Sequence, residues 1–309
     1  MNLPVLIIAF NRPDLFSKLL AKVLSMNPTR IYISIDGPRE NKDNERMRVE
    51  EVISIAKQYS HSNQFLFKIN EKNMGCGEGV SSAISWFFQN EEKGIILEDD
   101  CYPNESFFKY CEVLLTKYEN DDRIGMISGD NFFLSQYSIQ DSYYFSTYFH
   151  IWGWASWRRA WDGYQLRSSS KVEIEETINN NFLNQEERNF WLDNITNAFF
   201  GLVDTWDYQW VYLNFRKRRY SIMPKVNLIS NIGFGELATH TKEKNSKLSS
   251  MDIVELNFPL LHPQKIKTSI LTDYFSRRLM FRLPFWERIF YYLFRLFYLM
   301  ITKVGLIKR

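Results

Sequence analysis

The sequence predicts an α/β protein organised on a largely parallel, doubly wound sheet. Apolar runs of strand length alternate with helical patterns from residue 3 to residue 128. Each run stops in a polar or glycine-bearing loop, the pattern of strands that end at a ligand-binding sheet edge. The 309 residues are 45% hydrophobic and 17% aromatic, which supplies a sizeable core and excludes a disordered chain.

Residues 3–10 (LPVLIIAF) form a continuous apolar strand, broken by Asn11, Arg12, Pro13 and Asp14 before a helical pattern over 15–24. Residues 30–35 (RIYISI) form a second strand that ends in a turn at Asp36, Gly37 and Pro38, followed by a polar-faced helix over 41–59. A third strand at 65–69 leads through a glycine-bearing loop, 73–77, into a helix over 80–88. The fourth strand, 94–97, runs into three consecutive acids, Glu98, Asp99 and Asp100. Residues 101–103 then turn the chain, and Asn104, Glu105 and Ser106 open another helix. Residues 123–128 (RIGMIS) make a fifth strand, closed by Gly129, Asp130 and Asn131.

Carboxylates stacked at the end of a buried strand raise one another's pKa and resist desolvation unless a cation meets them. A divalent metal is one reading of Glu98–Asp100, and a solvated turn with Asp100 or Asn104 capping the next helix is the other. Gly75, Gly77 and Gly79 do not make a dinucleotide fingerprint, and no P-loop lysine motif is present, which discounts nicotinamide and P-loop chemistry. Arg12, Asp36, Gly75 and the three acids all fall on the predicted carboxyl edge. That placement favours a nucleotide held by Arg12 and Asp36, with a diphosphate bridged to the acids by a metal.

The motifs LIIAFNRPD, SIDGP, ILEDDCYPNESFF, GDN, WGWASW and WDYQW occur in an order that resembles the N-acetylglucosaminyltransferase I family and its bacterial relatives in surface-polysaccharide clusters, from residue 3 to about residue 240. The resemblance implies a GT-A fold and an inverting transfer from a nucleoside diphosphate sugar, UDP-linked, to a glycan or lipid-linked acceptor. It implies Mn2+ or Mg2+ on Asp100, Asp99 towards the ribose and donor sugar, and Glu98 towards the sugar. Arg12 resembles the diphosphate-contacting arginine and Asp36 the uracil-contacting aspartate. The family has cysteine and aspartate where this chain has Phe10 and Asn11, a departure at the base pocket.

Residues 143–161 are unusually aromatic, and Trp154, Trp157, Arg158 and Trp161 have the spacing of adjoining helical turns. Trp157 and Trp161 read as core, whereas Trp152 and Trp154 around Gly153 are candidates for stacking on a sugar. His150 is a candidate hydroxyl partner or a satisfied buried histidine. Residues 165–200 form a polar helical region. Asp204 and Asp207 then stand three apart, near one face if that segment is helical. An inverting transfer needs a general base beside the acceptor hydroxyl. Asp207 matches the family's base in its WD motif, and Asp204 is the second candidate, with a helix cap as its alternative role. The run 216–219 (RKRR) suits an anionic ligand or a solvated face, and His240 resembles the late histidine that helps hold metal or diphosphate in many GT-A enzymes.

Net charge is +2, but residues 277–309 hold eight basic residues and one acid, +7, which leaves −5 for the rest. The apolar run 289–301 is too short and too charged to span a bilayer of about 30 Å hydrocarbon. Arg288, Arg295 and Lys303 form a basic stripe on it, suited to an anionic membrane surface or to packing on the protein itself. Nucleic-acid binding would need wider basic patterning. Three cysteines without metal-type spacing indicate neither a disulfide framework nor a zinc site. The start of the sequence shows no secretory signal pattern, so a cytoplasmic enzyme on the inner face of the membrane is expected. The expected organisation is a nucleotide-sugar-binding half over 1–131, an acceptor and catalytic half of the same domain over 132–245, and an extension over 246–309. A sugar nucleotidyltransferase and a noncatalytic glycan- or membrane-binding protein remain alternatives.

Overall fold

The computed structural model describes residues 1–40, 42–59, 61–132, 139–168, 170–233, 251–268, 273 and 276–277. The chain opens β1 (Val5–Ala9), α1 (Pro13–Ser25), β2 (Ile31–Ile35), α2 (Asp43–Lys57), β3 (Phe65–Ile69), α3 (Gly75–Asn90) and β4 (Lys93–Glu98). It continues through β5 (Cys101–Pro103), α4 (Glu105–Lys117), β6 (Ile124–Ser128), β7 (Tyr143–Ser146), β8 (Trp154–Trp157) and α5 (Arg158–Trp161). The last elements are α6 (Lys171–Asn181), α7 (Gln185–Phe199), α8 (Asp207–Arg216), β9 (Tyr220–Pro224) and β10 (Ile229–Asn231).

The main sheet has the order β3-β2-β1-β4-β8-β6-β9-β7, with β8 and β7 antiparallel to the rest. This is the mixed, mostly parallel α/β architecture that the alternating pattern predicts. The chain grows outward from β1 through β2 to β3, then returns to place β4 on the other side of β1. The carboxyl ends of β1 and β4 thus flank the point where strand order reverses, the crevice where open α/β sheets bind ligands. Both strands are apolar along almost their whole length because helices cover both faces.

The aromatic segment departs from the helical expectation. Trp154 to Trp157 is strand β8, paired on both sides with β4 and β6, and only Arg158 to Trp161 makes a single helical turn. Residues three apart lie on opposite faces of a strand, so the spacing that mimics a helix sends the two tryptophans to two cores. Trp154 packs with Trp206 and Trp210 at centroid distances of 5.7 and 5.6 Å, whereas Trp157 donates its indole N–H to Leu115 O at 3.0 Å. Residues 101–103 form β5, antiparallel to β10, rather than a free turn. The basic run at 216–219 is not a uniform solvated face. Arg219 is buried and donates to Ala160 O at 2.8 Å, and burial lowers its pKa.

Asn104 is the N-cap of α4 and joins that helix to two later segments. Its Oδ1 accepts from Phe107 N at 3.0 Å, its Nδ2 donates to Val254 O at 2.9 Å, and its own N–H reaches Leu228 O. Asn104→Ala removes the cap and leaves the Val254 carbonyl without that donor. A loss of about 1–3 kcal/mol is expected, read as a lower urea midpoint at unchanged slope.

Candidate functional site

At the carboxyl edge of β1, β2 and β4 a cleft of about 670 Å³ opens. Asn11, Arg12, Asp36, Glu98, Asp99, Asp100, Trp152, Asp204 and Asp207 all line it, from elements far apart in sequence. Arg12 lies in the loop between β1 and α1 and reaches across to the end of β4. Its guanidinium donates to Asp99 and, at 2.8 Å, to Asp100 Oδ2. Burial by itself would lower the guanidinium pKa, but the two carboxylates raise it, so Arg12 stays charged. Asp99 N donates to Ile8 O at 2.9 Å, which continues the β1–β4 ladder one residue further and fixes the acid's backbone.

One guanidinium does not neutralise three carboxylates. Burial and the Asp100 charge push Glu98 up to about 8, and burial pushes Asp99 up to about 6 in spite of Arg12. Among the described residues no three His, Cys, Asp or Glu side chains converge into a ready-made cage for a metal ion. The donor set therefore fits a hard divalent cation that takes one or two carboxylates and completes its shell with substrate phosphate and water. Asp100, which accepts from Arg12, has Gly233 close over it. A side chain at 233 would start 2.4 Å from Asp100 Oδ2 and 2.8 Å from an Arg12 nitrogen.

Asp204 and Asp207 do not share a helix face. Asp207 is the first residue of α8, and Asp204 lies in the loop before it. Asp204 is a helix cap, but for α3. Its carboxylate accepts from Cys76 N at 2.9 Å and Gly77 N at 2.8 Å. Through this contact α3 begins at Gly75, five residues ahead of the sequence expectation, and Gly75 has φ +79° with Asp204 where a side chain would stand. Asp207 Oδ1 accepts from Thr205 Oγ1 and, at 2.9 Å, from Tyr208 N. Among the described residues Asp207 Oδ2 has no hydrogen bond, and Asp207 lines the same cleft as the acids of β4, close enough to raise the pKa of Glu98.

At the other end of the cleft Asp36 is a hub. It accepts from Gly37 N, Met74 N, Gly75 N and the side-chain amides of Asn70 and Asn73, at 2.9 to 3.2 Å. Asn11 donates to Glu45, which is also clasped by Arg39. Arg39, Asn70 and Asn73 line the cleft and were not singled out from sequence. The signal for them was local, since Arg39 is three residues after Asp36 and Asn70 directly follows β3.

Trp152 borders the cleft, but Trp154 and Gly153 do not. Trp154 is only 1% exposed, held in the tryptophan cluster by the strand register, so it has no face to offer a sugar. Gly153 packs against Ile229 and accepts from Gly129 N at 2.8 Å. His240 and the basic stripe of residues 289–301 lie outside the described residues.

No protein-family model and no curated protein matches the chain. Among solved structures it is similar to HddC from Yersinia pseudotuberculosis, at 14% identity over 47% of this chain and 59% of that one, with a TM-score of 0.27. It is also similar to the mannosyltransferase PcManGT from Pyrobaculum calidifontis in complex with GDP-Man and Mn2+, at 12% identity over 52% of this chain and 46% of that one, TM-score 0.35. A third is apo UDP-glucose pyrophosphorylase, at 9% identity over 75% of this chain and 93% of that one, TM-score 0.37. The match thus spans less than two thirds of the first two proteins.

Behind Trp152 lies a buried ionisable pair. Asp130 accepts from Trp152 N at 3.1 Å and from Ser128 Oγ at 3.2 Å, and its Oδ1 is 3.4 Å from His150 Nδ1. Burial raises Asp130 to about 8 and lowers His150 to about 3, so the folded pair holds one proton at neutral pH. An unfolded aspartate would have released its proton at about pH 4. A raised carboxyl pKa gives stability below the unfolded value that is lost as pH rises towards the folded one. Between about pH 4 and about 8, Asp130→Asn should therefore gain on the parent by about 1.4 kcal/mol per pH unit, measured by urea unfolding across that range. Parallel stability curves for the two proteins would contradict this titration.

Proposed function

We propose that the chain is a metal-dependent, inverting glycosyltransferase of GT-A type. It transfers a hexosyl or N-acetylhexosaminyl group from a nucleoside diphosphate sugar, UDP-linked, to a glycan or lipid-linked acceptor in surface-polysaccharide synthesis. The observation that carries this reading is the convergence of Arg12, Glu98–Asp100 and Asp207 on one cleft, with a cation-demanding acid cluster on one wall and a carboxylate with a free oxygen on another. In the same reading residues 1–131 hold the donor and 132–245 supply base and acceptor contacts, although strands from both halves share one sheet. Residues 246–309 are an extension that brings the enzyme to the inner face of the membrane.

Asp36, with Asn11 nearby, walls the base pocket, and Arg12 meets the diphosphate. A divalent ion, Mn2+ or Mg2+, held by Asp100 with the diphosphate would neutralise charge on the leaving group. Asp99 and Glu98 face the ribose and the donor sugar. Trp152, which lines the cleft, is the aromatic side chain for a sugar on the acceptor side. Asp207 Oδ2 takes the proton of the acceptor hydroxyl as that oxygen attacks the anomeric carbon and the bond from that carbon to the diphosphate oxygen breaks, releasing the nucleoside diphosphate, while Thr205 and the Tyr208 amide hold Oδ1 and fix the carboxylate's direction.

Asp207→Asn keeps the shape and removes the base. Transfer should fall by at least about a hundredfold while nucleotide sugar still binds, measured by product formation beside calorimetric titration. Retained transfer would remove Asp207 from its role, and release of pyrophosphate from a nucleoside triphosphate would favour a nucleotidyltransferase instead. Asp100→Ala, and Gly233→Ala by displacing Asp100, should each weaken manganese-dependent nucleotide binding. Unchanged affinity in both variants would count against the metal role.

A further inference from the structure

The Asp36 carboxylate is fully used by the protein itself. Five groups donate to it: the backbone amides of Gly37, Met74 and Gly75 and the side-chain amides of Asn70 and Asn73. An ionised carboxylate has about four lone-pair positions, so none is left for a ligand. Met74 and Gly75 stand at the start of α3, where amides have no partner within the helix. Asp204 takes the next two, from Cys76 and Gly77. A base that displaced a donor from Asp36 would leave one of these groups unsatisfied.

This constraint fixes Asn70. Its backbone N–H donates to Ile35 O at 3.0 Å, which carries the β2–β3 ladder one residue past the strand and holds Asn70 at the carboxyl edge. Because Asp36 can only accept, Asn70 turns its Nδ2 towards it, at 3.1 Å, and Oδ1 takes the other side of the amide. Among the described residues Oδ1 has no hydrogen bond, and Asp36 uses one of the two Nδ2 hydrogens. Asn73 differs, since its Nδ2 bridges Asp36 and Gly37 O, both at 2.9 Å. Asn70 lines the cleft and so brings it one acceptor and one donor side by side, in an order that Asp36 sets. Phe10 lines the same cleft, with the Arg39 guanidinium 5.7 Å from its ring centroid, and is an aromatic surface for a base to stack on.

A lactam edge, N–H beside C=O, complements that order. Uracil presents this edge, whereas cytosine in the same place presents a ring-nitrogen acceptor beside an amino donor. A free asparagine would adapt by turning its amide over, but here that would set Oδ1 against the Asp36 carboxylate. We propose that Asn70 reads the base through a bidentate amide–lactam pair. Asp36 is a positioning residue that does not touch the base and holds the amide in the orientation that takes uracil and rejects cytosine. The inference rests on the nucleoside diphosphate reading of the cleft.

The test titrates the full chain calorimetrically with uridine and cytidine diphosphates in the presence of manganese. The parent should prefer the uridine nucleotide by at least about tenfold. Asn70→Ala should bring the two affinities together, chiefly by weakening uridine diphosphate roughly tenfold, and should still unfold cooperatively in urea because Asp36 keeps its other donors. Asn73→Ala also removes one donor from Asp36 but should keep the preference. Asp36→Asn should let the Asn70 amide turn over and strengthen cytidine diphosphate relative to uridine diphosphate, a change that lost structure alone would not produce. A preference absent from the parent, surviving Asn70→Ala, falling equally in Asn70→Ala and Asn73→Ala, or unchanged in Asp36→Asn would overturn the assignment while leaving the donor reading in place. A parent that binds neither nucleotide would overturn both.

Discussion

A single guanidinium allows the strand at the centre of this fold to end in three acids. β4 is buried between β1 and β8, and its apolar run passes into Glu98, Asp99 and Asp100 with no stretch of solvated backbone between. Arg12 comes from the loop after β1, the strand to which β4 is directly paired, so the register that builds the sheet also sets the distance between charge and countercharge. Removing one partner from a buried ion pair typically costs 3–5 kcal/mol, because the other charge is left unpaired. The pairing therefore ties the sheet to the cleft, and neither can rearrange without the other.

The opposite wall depends on a different long-range contact. α3 opens with Gly75, Gly77 and Gly79, and glycine in a helix is about 1 kcal/mol worse than alanine at each position. The Asp204 carboxylate takes two of the amides that the first turn leaves unsatisfied and places negative charge at the positive end of the helix. The glycines also make the cap possible, since side chains at 75 and 77 would start 2.5 and 2.9 Å from Asp204. A sequence that is poor for a helix is thereby a good surface for a carboxylate, and that carboxylate positions the start of α8 and Asp207.

These two contacts explain what was legible in the sequence and what was not. The strands β1, β2, β3 and β6 and the Asn104 cap follow from local apolar pattern and turn chemistry, and the acids of β4 announce themselves as a charged end to a buried run. The start of α3 is not legible locally because its cap lies 128 residues away. A spacing of three makes the tryptophans of β8 fit one helix face, and only pairing with β4 and β6 reveals that two faces are served. The three residues of β5 look like a turn because they become a strand only when β10 arrives to pair with them. In the cleft, the residue types at strand ends were visible, whereas the hub around Asp36 and the separation of Asp204 from Asp207 needed the tertiary fold.

The charge of the cleft constrains how the proposed donor would enter. Asp36, Glu98, Asp99, Asp100, Asp204 and Asp207 all line it, against Arg12 and Arg39. Arg12 is already matched by Asp99 and Asp100, and Arg39 by Glu45. A diphosphate approaching alone would meet like charge in a partly desolvated space, where Coulomb interactions are stronger than in water. Arg12 by itself would have to leave one acid to meet the phosphate and would expose that acid to unpaired burial. A divalent cation accompanying the diphosphate would ease that conflict by adding positive charge, with Asp100 as the proposed carboxylate to hold it and Arg12 to meet the phosphate. In this reading donor and metal would bind as one unit, and the excess of acids that resists a free nucleotide would favour its metal complex.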